Sequence, residues 1–261
     1  MPKFILLVSI LFITTGVKAQ TWEIGGGVGG AGYMGDLNQT NPLKVSGPSG
    51  SAFIKYNFNG YLAIKAAFSL GSISAADSTS SYAQQRERNL SFTTTLYEPS
   101  LLCEFNFFNY IPQIGKNTWT PYLYSGFAGL AYFPTTVYNG VKYDLRGWHT
   151  EGEPKPYPTT AWSIPYGAGV KYNFTGAFTI GAEIGYRNPN TNYLDDVSGY
   201  YVFSGHNTLQ EQLSDRSGEK TGIYIGAPGV QRGDGGTGDT YFFTQVTISF
   251  TFISTKCYFH N

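Results

Sequence analysis

Beyond residue 20 the chain alternates: apolar residues hold one parity and polar or small residues the other, the period of two that marks a β-strand with two unlike faces. The last such segment is the cleanest, with Phe242, Val246, Ile248, Phe250 and Phe252 on one parity and Gln245, Thr247, Ser249 and Thr251 on the other. Residues 177 to 188 repeat the form, Phe178, Ile180, Ala182, Ile184 and Tyr186 standing against Thr179, Gly181, Glu183, Gly185 and Arg187. Further segments near 21 to 33, 49 to 58, 60 to 72, 90 to 107, 120 to 133 and 162 to 174 bring the predicted strands to eight, the last of them near 239 to 253. Most run about ten residues or more, the length a tilted strand needs to cross a bilayer.

The connections alternate as well. Those near 57 to 60, 109 to 118 and 173 to 176 are short or moderate, and those around 34 to 48, 73 to 89, 134 to 161 and 189 to 238 are long and polar. One heptapeptide occurs twice, IKYNFNG at 54 to 60 and VKYNFTG at 170 to 176. The two copies lie too far apart for a stacked repeat. Each reads as a hairpin whose Asn and Gly tolerate left-handed backbone angles in a tight turn. The pattern predicts an all-β fold, an eight-stranded antiparallel transmembrane outer-membrane β-barrel with long extracellular loops and short periplasmic turns. Tyr56, Phe58, Tyr172 and Phe174 take the outward parity beside a turn, where an interfacial girdle belongs.

A soluble β-sandwich or lipocalin-like barrel would turn the apolar parity inward. Lys55, Lys65, Glu98, Glu104, Lys171 and Glu183 would then be stranded outside, leaving the cavity to Tyr and Phe. In a membrane barrel they fill the lumen and pair. Equal parity across one hairpin predicts a diagonal contact between Lys171 and Glu183. A barrel this narrow is filled by side chains and is no diffusion pore.

Composition sharpens the picture. Of 261 residues, 33 are Gly, 21 Tyr and 19 Phe, while charged residues are 13%, about half the usual share. The N-terminus, with Lys3, an apolar run from Phe4 to about Thr15 and Val17-Lys18-Ala19, reads as a Sec-type signal peptide over 1–19. Gln20 stands where a lipoprotein needs Cys. The barrel is predicted over 20–253 and a periplasmic C-terminal tail over 254–261. Balanced charge, 17 Lys+Arg against 17 Asp+Glu, gives no nucleic-acid footprint. Cys103 and Cys257 are too few for a disulfide framework, and the fourth and eighth strands of such a barrel lie on opposite sides.

Catalytic chemistry finds little support. His149 and His206 fall deep in long loops and His260 in the tail, and none has a nucleophile elbow beside it. Asp234 and Asp239 in a glycine-rich run could face calcium, but the spacing lacks the EF-hand order. We expect no catalytic residue, cofactor or metal. The Arg232-Gly233-Asp234 triplet reads as chance.

The stretch GYRNPNTNYLDDVSGYY, residues 185 to 201, is the most specific in the chain. With GGAGYMGDL at 29–37, RNLSFTTTLYEPSLLCEFNFFNY at 88–110, PYLYSGFAGLAYFPT at 121–135, IPYGAGVKYNF at 164–174, QRGD at 231–234 and a Cys close to the C-terminus, it resembles the PorG-like barrels of the type IX secretion system of Bacteroidota. That resemblance implies an eight-stranded outer-membrane barrel that couples the membrane to the periplasmic PorK and PorN ring and to other secretion-system components, in systems that export cargo and serve gliding motility. The Pro-rich stretch Glu153 to Pro158 departs from the family pattern. A lipid-modifying barrel enzyme and a simple envelope-stabilising barrel are the alternatives. Within the matched loop, Asp195 and Asp196 read either as acceptors of backbone N–H groups at a turn or as a partner- or cation-binding corner. In the tail, Cys257, with Tyr258 and Phe259 as anchors, is expected to dock against or bond to a ring component.

Overall fold

The structure, a computed structural model, describes residues 21–112, 115–235 and 238–253. The strands are β1 (Thr21–Met34), β2 (Val45–Asn57), β3 (Leu62–Ala76), β4 (Ser91–Asn106), β5 (Trp119–Tyr138), β6 (Val141–Asp144), β7 (Thr160–Asn173), β8 (Phe178–Pro189) and β9 (Thr240–Ile253). All neighbours pair antiparallel in the order β4-β3-β2-β1-β9-β8-β7-β5, and the β4–β5 pairing closes the ring into an eight-stranded barrel. Closure leaves no sheet edge, so the backbone N–H and C=O groups of the wall are paired between neighbouring strands, with breaks in the β4–β5 and β5–β7 ladders beside Pro99 and Pro165, which meets the condition for crossing a bilayer.

β6 stands outside the ring and differs from the sequence reading, which ran a loop over 134–161. β5 continues past the barrel rim and turns back through Asn139 (φ 49°) and Gly140 (φ 77°) to pair with β6. Both turn residues are left-handed, as the tightest hairpin turns require. The Asn-Gly signal was present but lay inside a long polar stretch.

The two heptapeptides form the β2–β3 and β7–β8 turns, and they close differently. Gly176 takes a positive φ of 67°. At the first turn Gly60 does not; Asn59 Oδ1 instead accepts the amides of Tyr61 (2.8 Å) and Leu62 (2.9 Å). Gly60 is there for contact: a Cβ would sit 1.8 Å from Asn109 Oδ1, and its carbonyl accepts from Tyr110 N at 3.0 Å. The β4–β5 connection thus folds under the barrel floor.

Outward side chains in the middle of the wall are apolar and exposed, among them Val28, Ile54, Phe68, Leu101, Val246 and Ile248. Val28 is 72% exposed in a strand interior, which fits lipid and not water. At the short-turn end Trp22, Phe58, Trp119, Tyr172 and Phe174 are exposed, with Trp22 tilted against Tyr56 at 4.8 Å and Phe108 edge-on to Trp119 at 5.1 Å. No helix in the described residues is long and apolar enough to span a membrane. The larger hydrophobic core lies at the extracellular mouth, where Leu96, Leu130 and Phe243 of the wall meet Leu194 and Val197 of the β8–β9 connection, and a smaller cluster of Leu102, Tyr122 and Tyr124 lies within the barrel. The predicted signal peptide and the tail with Cys257, Tyr258 and Phe259 lie outside the described residues.

Candidate functional site

Lys55, Lys65, Glu98, Glu104, Lys171 and Glu183 all point into the lumen and all but Glu183 are buried. Strand parity puts them there. The ring then brings together charges far apart in sequence. Glu104 on β4 faces three ammonium groups: Lys171 Nζ at 3.0 Å, Lys65 at 3.2 Å and Lys55 at 3.3 Å. Lys55 also reaches Glu23 at 3.2 Å, and Lys65 reaches Glu183 at 2.9 Å. Tyr122 donates to Glu183, and Asn57 and Ser249 donate to Glu23.

The predicted Lys171–Glu183 contact does not form. Glu104 draws Lys171 across the lumen, Lys65 takes Glu183, and the two expected partners are linked through Glu104 and Lys65 and through Tyr122, which lies under Lys171 and donates to Glu183. Cross-lumen geometry won over the hairpin diagonal because one carboxylate sits within reach of three cations.

A second cluster lies nearer the mouth. Arg187 on β8 grips Glu98 with Nε at 3.0 Å, Tyr241 donates to the same carboxylate at 2.6 Å, and the guanidinium packs over Phe243 at 4.6 Å. Glu98 is 0% exposed, which an ion of that charge tolerates only when so paired. At the other end Tyr110, carried by the folded β4–β5 connection, shares a hydrogen bond with Thr179 at 2.7 Å and lies beneath Lys171.

The extracellular mouth is closed by the segment around Asn192 to Ser198. Leu194 is fully buried; its carbonyl accepts from Thr94 of the wall and its amide donates to Asp239 Oδ2 at 2.9 Å. Asp195 and Asp196 are buried too. Asp195 accepts from Tyr33 at 2.5 Å and from Val197 N at 2.9 Å. Asp196, at φ 66°, accepts from Thr150 and from Tyr157 at 2.6 Å and has Arg232 at 3.6 Å. Both carboxylates are thus buried and taken by partners within the cap, with Asp195 accepting a backbone N–H at the turn.

Carboxylates crowd this cap. Tyr33 lies 3.0 Å from Asp239 as well as against Asp195, and one phenolic proton cannot satisfy both. Burial pushes Asp239 up to about 8, and burial together with the Asp239 charge pushes Asp195 well above the usual carboxylate range. Burial and the charge of Asp234 lift Asp36 to about 7. Burial raises Asp196 to about 6, against the pull of Arg232.

Neither described histidine is hydrogen-bonded to a serine or threonine hydroxyl. His149 Nδ1 contacts the Glu153 carbonyl at 2.6 Å, and His206 stacks on Tyr224 at 3.6 Å. Arg232 of the Arg-Gly-Asp triplet is buried against Glu151 at 3.0 Å, so that triplet is structural. Cys103 faces outward on β4.

Sequence reasoning missed Glu23, Tyr33 and Tyr110. Glu23 sits in the Gly-rich β1, where alternation is weak, although its parity matches Thr21. Tyr33 and Tyr110 owe their roles to loops folding back, which periodicity does not report.

A closed antiparallel barrel of eight strands, apolar outside and ion-paired within, is an outer-membrane β-barrel protein. The chain belongs to the family described as "Domain of unknown function (DUF6089)", which matches residues 2–204. No curated protein is similar to it. Among solved structures, it is similar to the N-terminal β-barrel domain of Pseudomonas aeruginosa OprF (12% identity, 90% of this chain and 98% of that one, TM-score 0.39). It is also similar to Neisserial surface protein A (10%, 91% and 100%, TM-score 0.44) and to a major outer membrane protein from Thermus thermophilus (10%, 90% and 100%, TM-score 0.46).

Proposed function

We propose that the protein is a membrane-embedded anchor, a PorG-like outer-membrane component that holds the periplasmic PorK and PorN ring of a type IX secretion system to the outer membrane. The observation that carries this reading is a barrel sealed along its whole length: Tyr110 below, the Glu104 and Glu98 ion pairs within, and Leu194 above. Such a barrel passes no solute, and its value lies in what its ends hold. The family-specific motifs of the sequence supply the partner. Thr21 of β1 pairs with Ile253 at the end of β9 at the short-turn end, and the segment with Cys257, Tyr258 and Phe259 follows β9 in sequence on that side of the wall. A non-enzymatic role goes with this reading, since neither described histidine is hydrogen-bonded to a serine or threonine hydroxyl as acyl hydrolysis needs: His149 Nδ1 contacts a backbone carbonyl and His206 stacks on Tyr224.

The test is affinity purification of the tagged barrel from outer membranes, with mass spectrometry of what accompanies it. Enrichment of PorK and PorN supports the anchor. Release of lipid A acyl chains by the purified barrel, with no ring protein retained, would establish the enzyme instead; lipid alone, with neither, leaves the envelope-stabilising barrel.

A further inference from the structure

The lipid-facing parity changes character near the extracellular rim. In mid-wall it carries Ile54, Ile64, Phe68, Leu70 and Leu101, all exposed. Above Leu70, Tyr97 and Phe133 the same parity of β2, β3, β4 and β5 carries Ser46, Ser74, Thr93 and Thr135. These hydroxyls line a recess of about 540 Å³ flanked by Lys44 and Lys142.

Both lysines lack a carboxylate partner among the described residues; Lys44 Nζ donates only to Thr79 Oγ1, at 3.3 Å. Every lumen lysine, by contrast, is held by a glutamate. Two hydroxyl protons are also uncommitted: Ser46 Oγ accepts from Ser74 N at 3.0 Å without donating, and Thr93 Oγ1 enters no hydrogen bond among the described residues. No carboxylate lines the recess. Asp144, on the same face as Lys142, accepts from Arg146 N at 3.2 Å, and Asp77 is buried against Arg88 at 2.7 Å. Arg216 donates to Ser91 Oγ at the recess wall at 2.9 Å and is balanced by Glu219.

We propose that this recess binds the phosphomonoester headgroup of an outer-leaflet lipid. Lys44 and Lys142 supply point charges, which suit phosphate, and Ser46 and Thr93 supply hydrogen-bond donors. Free phosphate shares this chemistry. The outward parity that carries Ser74, Thr93 and Thr135 is, however, the one that carries Leu70, Tyr97 and Phe133 lower on the same strands, so these hydroxyls stand at the upper border of the apolar wall, where a headgroup lies over acyl chains, and this commits the recess to a lipid.

Native mass spectrometry of the full-length barrel, released from phosphatidylcholine vesicles holding a minority of phosphatidic acid, reads the outcome. The parent is expected to retain phosphatidic acid in preference to phosphatidylcholine, and the Lys44→Gln/Lys142→Gln variant to lose about tenfold of that preference. A matched variant at two exposed cap lysines, Lys155→Gln/Lys220→Gln, is expected to keep it, and excess inorganic phosphate to leave the lipid in place. Undiminished retention by the Lys44/Lys142 variant, an equal loss in the Lys155/Lys220 variant, or displacement by inorganic phosphate overturns the proposal. Heat-modifiable migration reports folding of each variant. Should the double variant fail it, K142Q alone, on the hairpin outside the barrel, is expected to show a partial loss, and no loss there overturns the proposal equally.

Discussion

Glu104 accepts charge from three lysines on three different strands, β2, β3 and β7, and so ties opposite walls of the barrel through one carboxylate. Removing one member of a buried ion network costs more than the network contributes, because the remaining charges stay buried and unpaired. Glu104→Gln is therefore expected to lower stability by about 3–5 kcal/mol in urea unfolding from lipid vesicles; an unchanged midpoint would mean the lumen is wet enough to solvate the lysines. The cap behaves differently. Asp36 and Asp239 are raised from an ordinary value near 3.8 to about 7 and about 8. Between those limits the folded cap binds more protons than the unfolded chain, so its stability is full below 3.8 and is lost as pH rises through 7 and 8. Amide hydrogen exchange at Leu194 and Asp234, corrected for intrinsic rates, is expected to speed up across neutral to mildly alkaline pH, and Asp239→Asn to flatten that dependence. Exchange that slows over the same range would refute the protonated-cap account.

At the scale of elements, wall and cap draw on different parts of the sequence. The eight wall strands were legible because lipid outside and charge inside enforce strict alternation, and strand limits read from the pattern fall within a few residues of those observed. β5 is the exception, running five residues beyond its expected end because the Asn139-Gly140 hairpin continues its ladder to β6 outside the membrane, where alternation no longer sorts lipid from lumen. The cap was not legible. Its short helices Ala83–Arg88, Leu209–Ser214 and Gly218–Thr221 and the plug around Leu194 are fixed by tertiary contacts such as Arg88 to the Arg232 and Asp36 carbonyls, which leave no periodic trace. The same division gives a prediction. Replacing residues 140–158 and 195–235 by short linkers is expected to spare membrane insertion and heat-modifiable migration, since the ladder of the wall is complete without them. Loss of heat-modifiability would show that the cap is part of the folding unit.

For the whole molecule, ring closure between β4 and β5 converts local alternation into an inside and an outside, and side chains from all eight strands then compete for a narrow lumen. That competition explains why individual ion pairs departed from the hairpin diagonal although the inward set was readable: parity fixes a face, while partner choice depends on barrel curvature. The resulting body is apolar at its waist, aromatic at its periplasmic edge and closed by Tyr110, Glu104, Glu98 and Leu194 in succession. The anchor proposed above needs no path through the barrel, and the filled lumen offers none. Single-channel recording of the purified full-length barrel in planar lipid bilayers examines that directly. The parent is expected to insert, verified by protease protection of the wall, and to show no conductance steps. Stable ohmic channels in the parent at moderate voltage would contradict it.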